Sequence, residues 1–371
     1  MNLRLGRFGK QESACVCGLG ALLSGMFGVN TAEAYAKGNV CWLATLLGLL
    51  GAVLVFLLLI KAMEKQGVSS LGALFQRALG RIGALVLGLG VTGVLVLSAA
   101  LPNLQMLSAM NRYVFEGADY PVIAAYQLGA VVLLCVLGME AIARTGRLLL
   151  LPAAAGVGLA VFLASPAFGW HHLFPLLGAG MEALLFQSLQ ALLRFLPPVL
   201  ALCAVGEGCQ GRNCLKESGL IGLWSGGLGA VLMQLVLGLS CYSWDISRLP
   251  VPMYRMTMAT RYDAVTVRLD VTVLFLWVVC ALGAGAYYVY AGSLLFCKST
   301  GLKDIRPVGA GLSGLSLGLM LLLHLDGGWP EALGGRLYRW GWALAAVPAV
   351  LGSLLGLLRG KPYESMGETS V

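Results

Sequence analysis

Two short stretches hold most of the side chains that could do chemistry. In CGLGALLSGMFG (17–28), Gly18, Gly20 and Gly25 surround Ser24. Glycine lacks a Cβ, so it admits irregular backbone and close approach by a ligand. Freed N–H groups there, with the Ser24 hydroxyl, would hold a carboxylate. In the second stretch Gln187, Ser188 and Gln190 offer donors and acceptors, and Pro197 and Pro198 each remove a helix hydrogen bond. The plainer alternative is glycine packing in the first stretch and a proline kink in the second, and composition does not choose between them. Three charges fall in or beside apolar runs. Glu33 faces either a vestibule or the interface. Glu182 is placed to cap a helix start, where a carboxylate is favourable. Arg194 lies inside an apolar run, where the cost of a buried charge makes function the default expectation. Its partner would be Glu33, Glu182 or a ligand carboxylate. Tyr287, Tyr288 and Tyr290 cover two faces of one helix, either lining a cavity with Tyr287 or packing against neighbours, with packing favoured.

Other reactive residues show no catalytic spacing. His171 and His172 follow Trp170, and His324 stands near Asp326; all three are expected at an interface. Most of the 10 cysteines lie in apolar runs, where Cys behaves as a small hydrophobe. Cys209 and Cys214 have no His nearby, which argues against zinc; their spacing does not decide whether they pair. The sequence therefore predicts no catalytic residue, no metal and no cofactor, hence no enzyme.

The elements that must position these residues follow from composition. Of 371 residues, 58% are hydrophobic and 11% charged, with 51 glycines in addition. A soluble domain is ~45–50% apolar with glycine included and ~25% charged. The excess excludes an ordinary soluble enzyme, a nucleic-acid-binding domain and a disordered chain, and it places the protein in a lipid bilayer. Apolar runs near 13–36, 39–61, 82–110, 121–142, 147–166, 178–206, 218–242, 269–297, 306–325 and 338–358 predict ten spanning helices. The segment 67–81 reads as a short amphipathic helix at the interface. With both termini cytoplasmic, most of the 25 Lys and Arg residues fall on inner connections. The outer connection 243–268 is expected to carry local structure. Gly222 with Gly226, and Gly314 with Gly318, have the spacing of close helix packing. The whole chain, 1–371, reads as one membrane domain with a flexible tail at 360–371.

Backbone polar groups in hydrocarbon must be paired, so a helix breaks only where it lines a cavity or is buried in protein. The two anomalous spans are the first and the sixth of ten. That correspondence predicts a five-plus-five inverted repeat, about 11–166 and 178–358, with discontinuous helices 1 and 6 around a central site.

Several local patterns then combine. GMEAIARTGRLLLLP (138–152), with Gly138, Glu140 and Arg144, joins spans 4 and 5; RLDVTVLFLWVV (268–279), with Arg268, Asp270 and Trp277, opens span 8. LGRIGALVLGLG (79–90), the opening FGKQES, Cys41–Trp42 and Tyr290 fall in the same order. Over roughly 7–360 the chain resembles the endospore germination permeases, the B subunits of spore nutrient-germinant receptors. The resemblance implies the LeuT-like, ten-helix inverted-repeat fold of the amino acid–polyamine–organocation superfamily, located in the spore inner membrane. It also implies a small nutrient ligand, such as an amino acid, bound between spans 1, 3, 6 and 8. The implied partners are an A-type membrane subunit and a C-type lipoprotein subunit. The sequence departs from the family pattern at Phe27, Gly28 and Val29, where relatives commonly carry a proline, and near Pro197–Pro198, where they carry an acidic residue. An amino acid secondary transporter of the same fold is the alternative function, and a channel-like or scaffold subunit a third.

Overall fold

The computed structural model describes residues 6–28, 39–115, 119–174, 177, 180–210, 213–246, 251–258, 269–325, 336–337 and 343–358. The long helices are α1 (Lys10–Phe27), α2 (Cys41–Gln66), α3 (Leu71–Tyr113), α4 (Tyr120–Leu137) and α5 (Met139–Ala164) in the first half. The second half contributes α6 (Gly180–Ala204), α7 (Cys214–Ser240), α8 (Leu269–Thr300), α9 (Arg306–His324) and α10 (Ala343–Leu358). All but α1 and α10 are long and apolar enough to cross a membrane. Among the described residues, eight of the ten predicted spans thus reappear as helices of membrane-crossing length, and the first and tenth contain the shorter or less apolar α1 and α10.

Two glycines with positive φ set where the first-half helices turn. Gly80 (φ 73°, ψ −172°) interrupts α3, so the amphipathic segment before it and the long span after it are separate rods. A short helix thus occupies most of the segment 67–81 where one was expected. Gly138 (φ 92°) ends α4 and begins α5 in a single residue. An L side chain adopts neither conformation cheaply. The tight turn corrects the reading of 138–152 as a connection: Glu140 and Arg144 lie in the first turns of α5 and form an i,i+4 ion pair there.

α1 and the second half of α6 are the central rods. From Val16 to Phe27 every residue of α1 is buried, and so is every residue of α6 from Leu193 to Ala204. A helix apolar on all sides belongs inside a bundle. α4, α5 and α9 present apolar surface outward, including Leu133, Leu148, Leu151 and Leu315, which requires lipid rather than water as solvent. Gly314 and Gly318 are on that outer face, with nothing within 4 Å of either. The expectation of close packing holds for Gly222 and Gly226, which meet α1, and not for the α9 pair, because α9 turns that face away from the bundle.

Between Cys17 and Phe27 no interruption occurs, since Lys10–Phe27 is helical throughout; the helix is capped by Gly28, and the rest of the predicted first span, 29–36, lies outside the described residues. Its glycines are there for close approach by neighbouring helices, not to free the backbone. Likewise α6 stays helical across Pro197 and Pro198 and ends at Ala204.

At the end of the bundle carrying residues 6–10, several elements are tied together. The Phe8 N–H donates to the Gly208 carbonyl (3.1 Å) and the Gln210 N–H to the Phe8 carbonyl (3.1 Å). Cys209 and Cys214 form a disulfide, and Lys10 pairs with Glu217. Glu207 accepts from the Ser70 hydroxyl (2.6 Å) and from Lys298 (2.7 Å). This joins the end of α6 to the starts of α3 and to the end of α8. Burial pushes the Glu207 carboxyl up, but the hydrogen bonds from Lys298 and Ser70 together with the ammonium charge outweigh it. Its pKa is held below the ordinary value. A carboxylate with a depressed folded-state pKa stabilises above its unfolded value, about 4.3, and that stabilisation is lost as pH falls through the folded value. Glu207→Gln is therefore expected to melt below the parent at pH 7, and the difference should shrink and vanish as the pH is lowered through the carboxyl's depressed folded-state value. A difference that stays constant with pH would remove the carboxylate from this role.

Candidate functional site

α8 places Tyr287 and Tyr288 next to each other in sequence but about 100° apart around the helix, so they reach different neighbours. The Tyr288 hydroxyl hydrogen-bonds Ser24 Oγ on α1 at 2.9 Å. The Tyr287 hydroxyl donates to the Pro198 carbonyl on α6 at 2.7 Å. Both rings are fully buried, their centroids 5.5 Å apart. A buried phenol needs a partner, and these two use theirs to connect the central rods. Gly20 is one turn before Ser24 and makes the room: a Cβ on it would sit 2.7 Å from the Tyr288 hydroxyl and 3.5 Å from Pro198 Cβ.

Arg194 is one turn before Pro198 on α6 and is buried. Its Cδ packs 3.3 Å from where a Cβ of Gly28 would be, just past the end of α1. The last carbonyls of a helix carry partial negative charge, which favours a cation there. Phe27 packs edge-on against Trp277 of α8 at 5.4 Å between centroids, closing the junction on that side. α3 is bound to α8 through Thr92, whose hydroxyl lies 2.8 Å from the Gly88 carbonyl and 3.3 Å from that of Gly292.

Of the residues singled out from sequence, Gly20, Ser24, Tyr287 and Arg194 thus border one junction of α1, α6 and α8. Gly18 and Gly25 are on the same helix but serve packing. A Cβ on Gly18 would meet Ser225 and Gly222 of α7, and one on Gly25 would meet Ala230 and Phe195. The Gly25 carbonyl accepts from Gln234 of α7 at 3.2 Å. Gln187 and Ser188 are not brought in. They precede Pro198 by about ten residues, roughly 15 Å along a helix, in the part of α6 that packs on α2. Ser188 returns its hydroxyl to the Leu184 carbonyl (2.7 Å). Glu182 is exposed in the first turn of α6. Glu33 and Arg268 lie outside the described residues. Asp270 accepts from the Tyr254 hydroxyl at 2.7 Å, and buried Trp277 packs beside Gly156 of α5; both hold helices together. Among the described residues no group of His, Cys, Asp or Glu could hold a metal ion.

Sequence reasoning singles out Tyr287 rather than Tyr288, which also borders this junction, and it passes over Asn103, Gln127 and Gln234. The signal was present: Gln127 and Gln234 are each a lone amide inside an apolar run, and Asn103 follows Pro102. Buried polar groups require partners, so isolated amides mark contacts between helices.

A sequence profile described as spore germination protein matches residues 16–300. No curated protein gives a significant match in a sequence search. Among solved structures, the chain is similar to a Na+-coupled sialic acid symporter in its substrate-bound outward-open state. The TM-score is 0.66 at 12% identity, covering 95% of this chain and 79% of that one. It is also similar to a nucleobase-cation-symport-1 family transporter in a closed conformation with bromovinylhydantoin bound (TM-score 0.62, 12% identity, covering 94% and 80%). At such identity the likeness is one of fold: a LeuT-like membrane architecture.

Proposed function

The chain belongs to the spore germination protein family, and from that premise we propose that it is the membrane subunit of a germinant receptor in the spore inner membrane, with its termini cytoplasmic. It binds a small nutrient, an amino acid in the favoured case, and passes the signal to an A-type membrane subunit and a C-type lipoprotein subunit. The observation that carries this reading is the Ser24–Tyr288 and Tyr287–Pro198 pair of hydrogen bonds joining α1, α6 and α8. A polar ligand entering there exchanges its own donors and acceptors for these internal ones, and Arg194 supplies a cation for its carboxylate. α1 is helical from Cys17 to Phe27, so the side chains take the role first expected of freed N–H groups. Because the hydroxyls link three helices, ligand binding favours the arrangement in which they part. A ligand shifts such an equilibrium only by its differential affinity for the two arrangements.

Purified subunit in nanodiscs, titrated with a panel of amino acids, tests this. Loss of one neutral hydrogen bond is worth about 1 kcal/mol, so Ser24→Ala and Tyr288→Phe should each weaken binding by roughly five- to tenfold. If no amino acid binds, or both variants bind like the parent, the site is elsewhere. The likeness of fold to two transporters supports a second reading, an amino acid secondary transporter. Saturable uptake of one amino acid into proteoliposomes would establish it in place of the receptor.

A further inference from the structure

Away from the α1–α6–α8 junction, α3, α4, α8 and α9 line a small cavity of about 20 Å³, whose mostly apolar wall includes four polar side chains, Asn103 of α3, Gln127 of α4, and Ser313 and Ser316 of α9. A single water needs roughly 10–15 Å³ on the same measure, and an amino acid needs far more. Asn103 is fully engaged. Its amide N–H group donates to the carbonyls of Ala99 (2.6 Å) and Ala281 (3.5 Å), and its Oδ1 accepts from Gln127 Nε2. Two atoms of the lining are left over: Gln127 Oε1 and Ser313 Oγ are buried and hydrogen-bond no protein group. Gln127 is 8% exposed and Ser313 0%. An amide oxygen only accepts, whereas a hydroxyl does both. The guest must therefore donate to one and exchange a hydrogen bond with the other. None of the lining residues is ionisable, and an uncompensated cation in such surroundings is far more costly than a neutral molecule.

We propose that this cavity binds one ordered water, which donates to Gln127 Oε1 and hydrogen-bonds Ser313 Oγ. The water completes a polar chain from α8 through Asn103 and Gln127 to α9. A bridging water is nearly as effective as a direct hydrogen bond, so it fastens α9, whose Gly314 and Gly318 face makes no close contact, to the inner helices. The proposal is independent of which nutrient binds at the central junction.

The test is a high-resolution structure of the full chain in lipid, obtained once with sodium salts and once with N-methylglucamine as the sole cation. One density peak within about 2.7–3.1 Å of both atoms, in both salts, with an unchanged melting temperature, is the expected result. A peak confined to sodium, with melting temperature rising with sodium concentration, overturns the proposal in favour of a cation site. The lack of a peak in both overturns it outright. Thermal melting supplies a second measurement. Removing either anchor releases the same water, so Gln127→Met with Ser313→Ala should melt no lower than the less stable single variant. Strictly additive losses count against the bridge.

Discussion

Gly226→Ala is expected to eliminate the folded, monodisperse protein. A Cβ at this position would lie 2.0 Å from the Gly18 carbonyl oxygen, 2.8 Å from its carbon and 3.0 Å from Ala21 Cβ. The first two contacts are backbone, which no rotamer change relieves, so α7 and α1 would have to separate. α1 is buried from Val16 to Phe27, so a shift of its axis disturbs every neighbour, including the Ser24–Tyr288 contact. Overpacking costs about 1–3 kcal/mol where side chains can adjust; here the cost exceeds that range. The control lies on α9. Gly314→Ala and Gly318→Ala meet nothing within 4 Å and replace a poor helix former by a good one, a change worth up to about 1 kcal/mol in favour of the helix. Size-exclusion profiles and melting temperatures in one detergent compare the three. A Gly226→Ala protein that elutes and melts like the parent would mean that the α1–α7 contact is looser than described.

The second large effect concerns ligand response rather than folding. Gly20→Ala puts a methyl group 2.7 Å from the Tyr288 hydroxyl and 3.2 Å from its Cζ. The ring must move, and the hydrogen bond to Ser24, one turn along the same face, cannot persist. If an amino acid binds at this junction as proposed, its affinity should fall about a hundredfold, equivalent to about 2.7 kcal/mol, because room and hydrogen-bond geometry are lost together. Gly18→Ala is the matched control two residues away. Its Cβ meets the rotatable Ser225 hydroxyl at 3.1 Å, which can turn aside, so binding should remain within a few-fold of the parent. Titration of both variants in nanodiscs distinguishes the cases. Equal losses at Gly18 and Gly20 would point to a general loosening of α1 rather than to a site at Gly20.

Much of this organisation is already written in residue order. The apolar runs and their charged or glycine breaks locate the helices to within a few residues for most spans, because a bilayer admits few ways to satisfy a backbone. The oddity of the first and sixth spans marks them as the central rods. The nature of the oddity was misread: glycine spacing in 17–28 is equally suited to a broken helix and to an intact one with close neighbours. The carbonyl of Gly18 against Gly226 is a relation between residues more than two hundred apart, which no local pattern contains. Gln187 and Ser188 lie apart from the α1–α6–α8 junction for a related reason. Their polarity made them candidates, yet ten residues of rigid helix separate them from Pro198.

The remaining features depend on which faces meet. Tyr287 and Tyr288 look alike in sequence, and the hydroxyl partners Pro198 and Ser24 are assigned by the packing of α8 between α6 and α1. The spacing of Cys209 and Cys214 left pairing open, and the structure joins them in a disulfide. Gly222–Gly226 and Gly314–Gly318 share one motif, but one pair contacts a helix and the other faces outward. Composition established a helical membrane protein, because the solvent imposes that on any chain so rich in apolar residues, and residue order marked two of its helices as exceptional. The choice among polar residues came from tertiary packing, since a hydrogen bond in the bilayer interior forms only where two helices place donor and acceptor within reach.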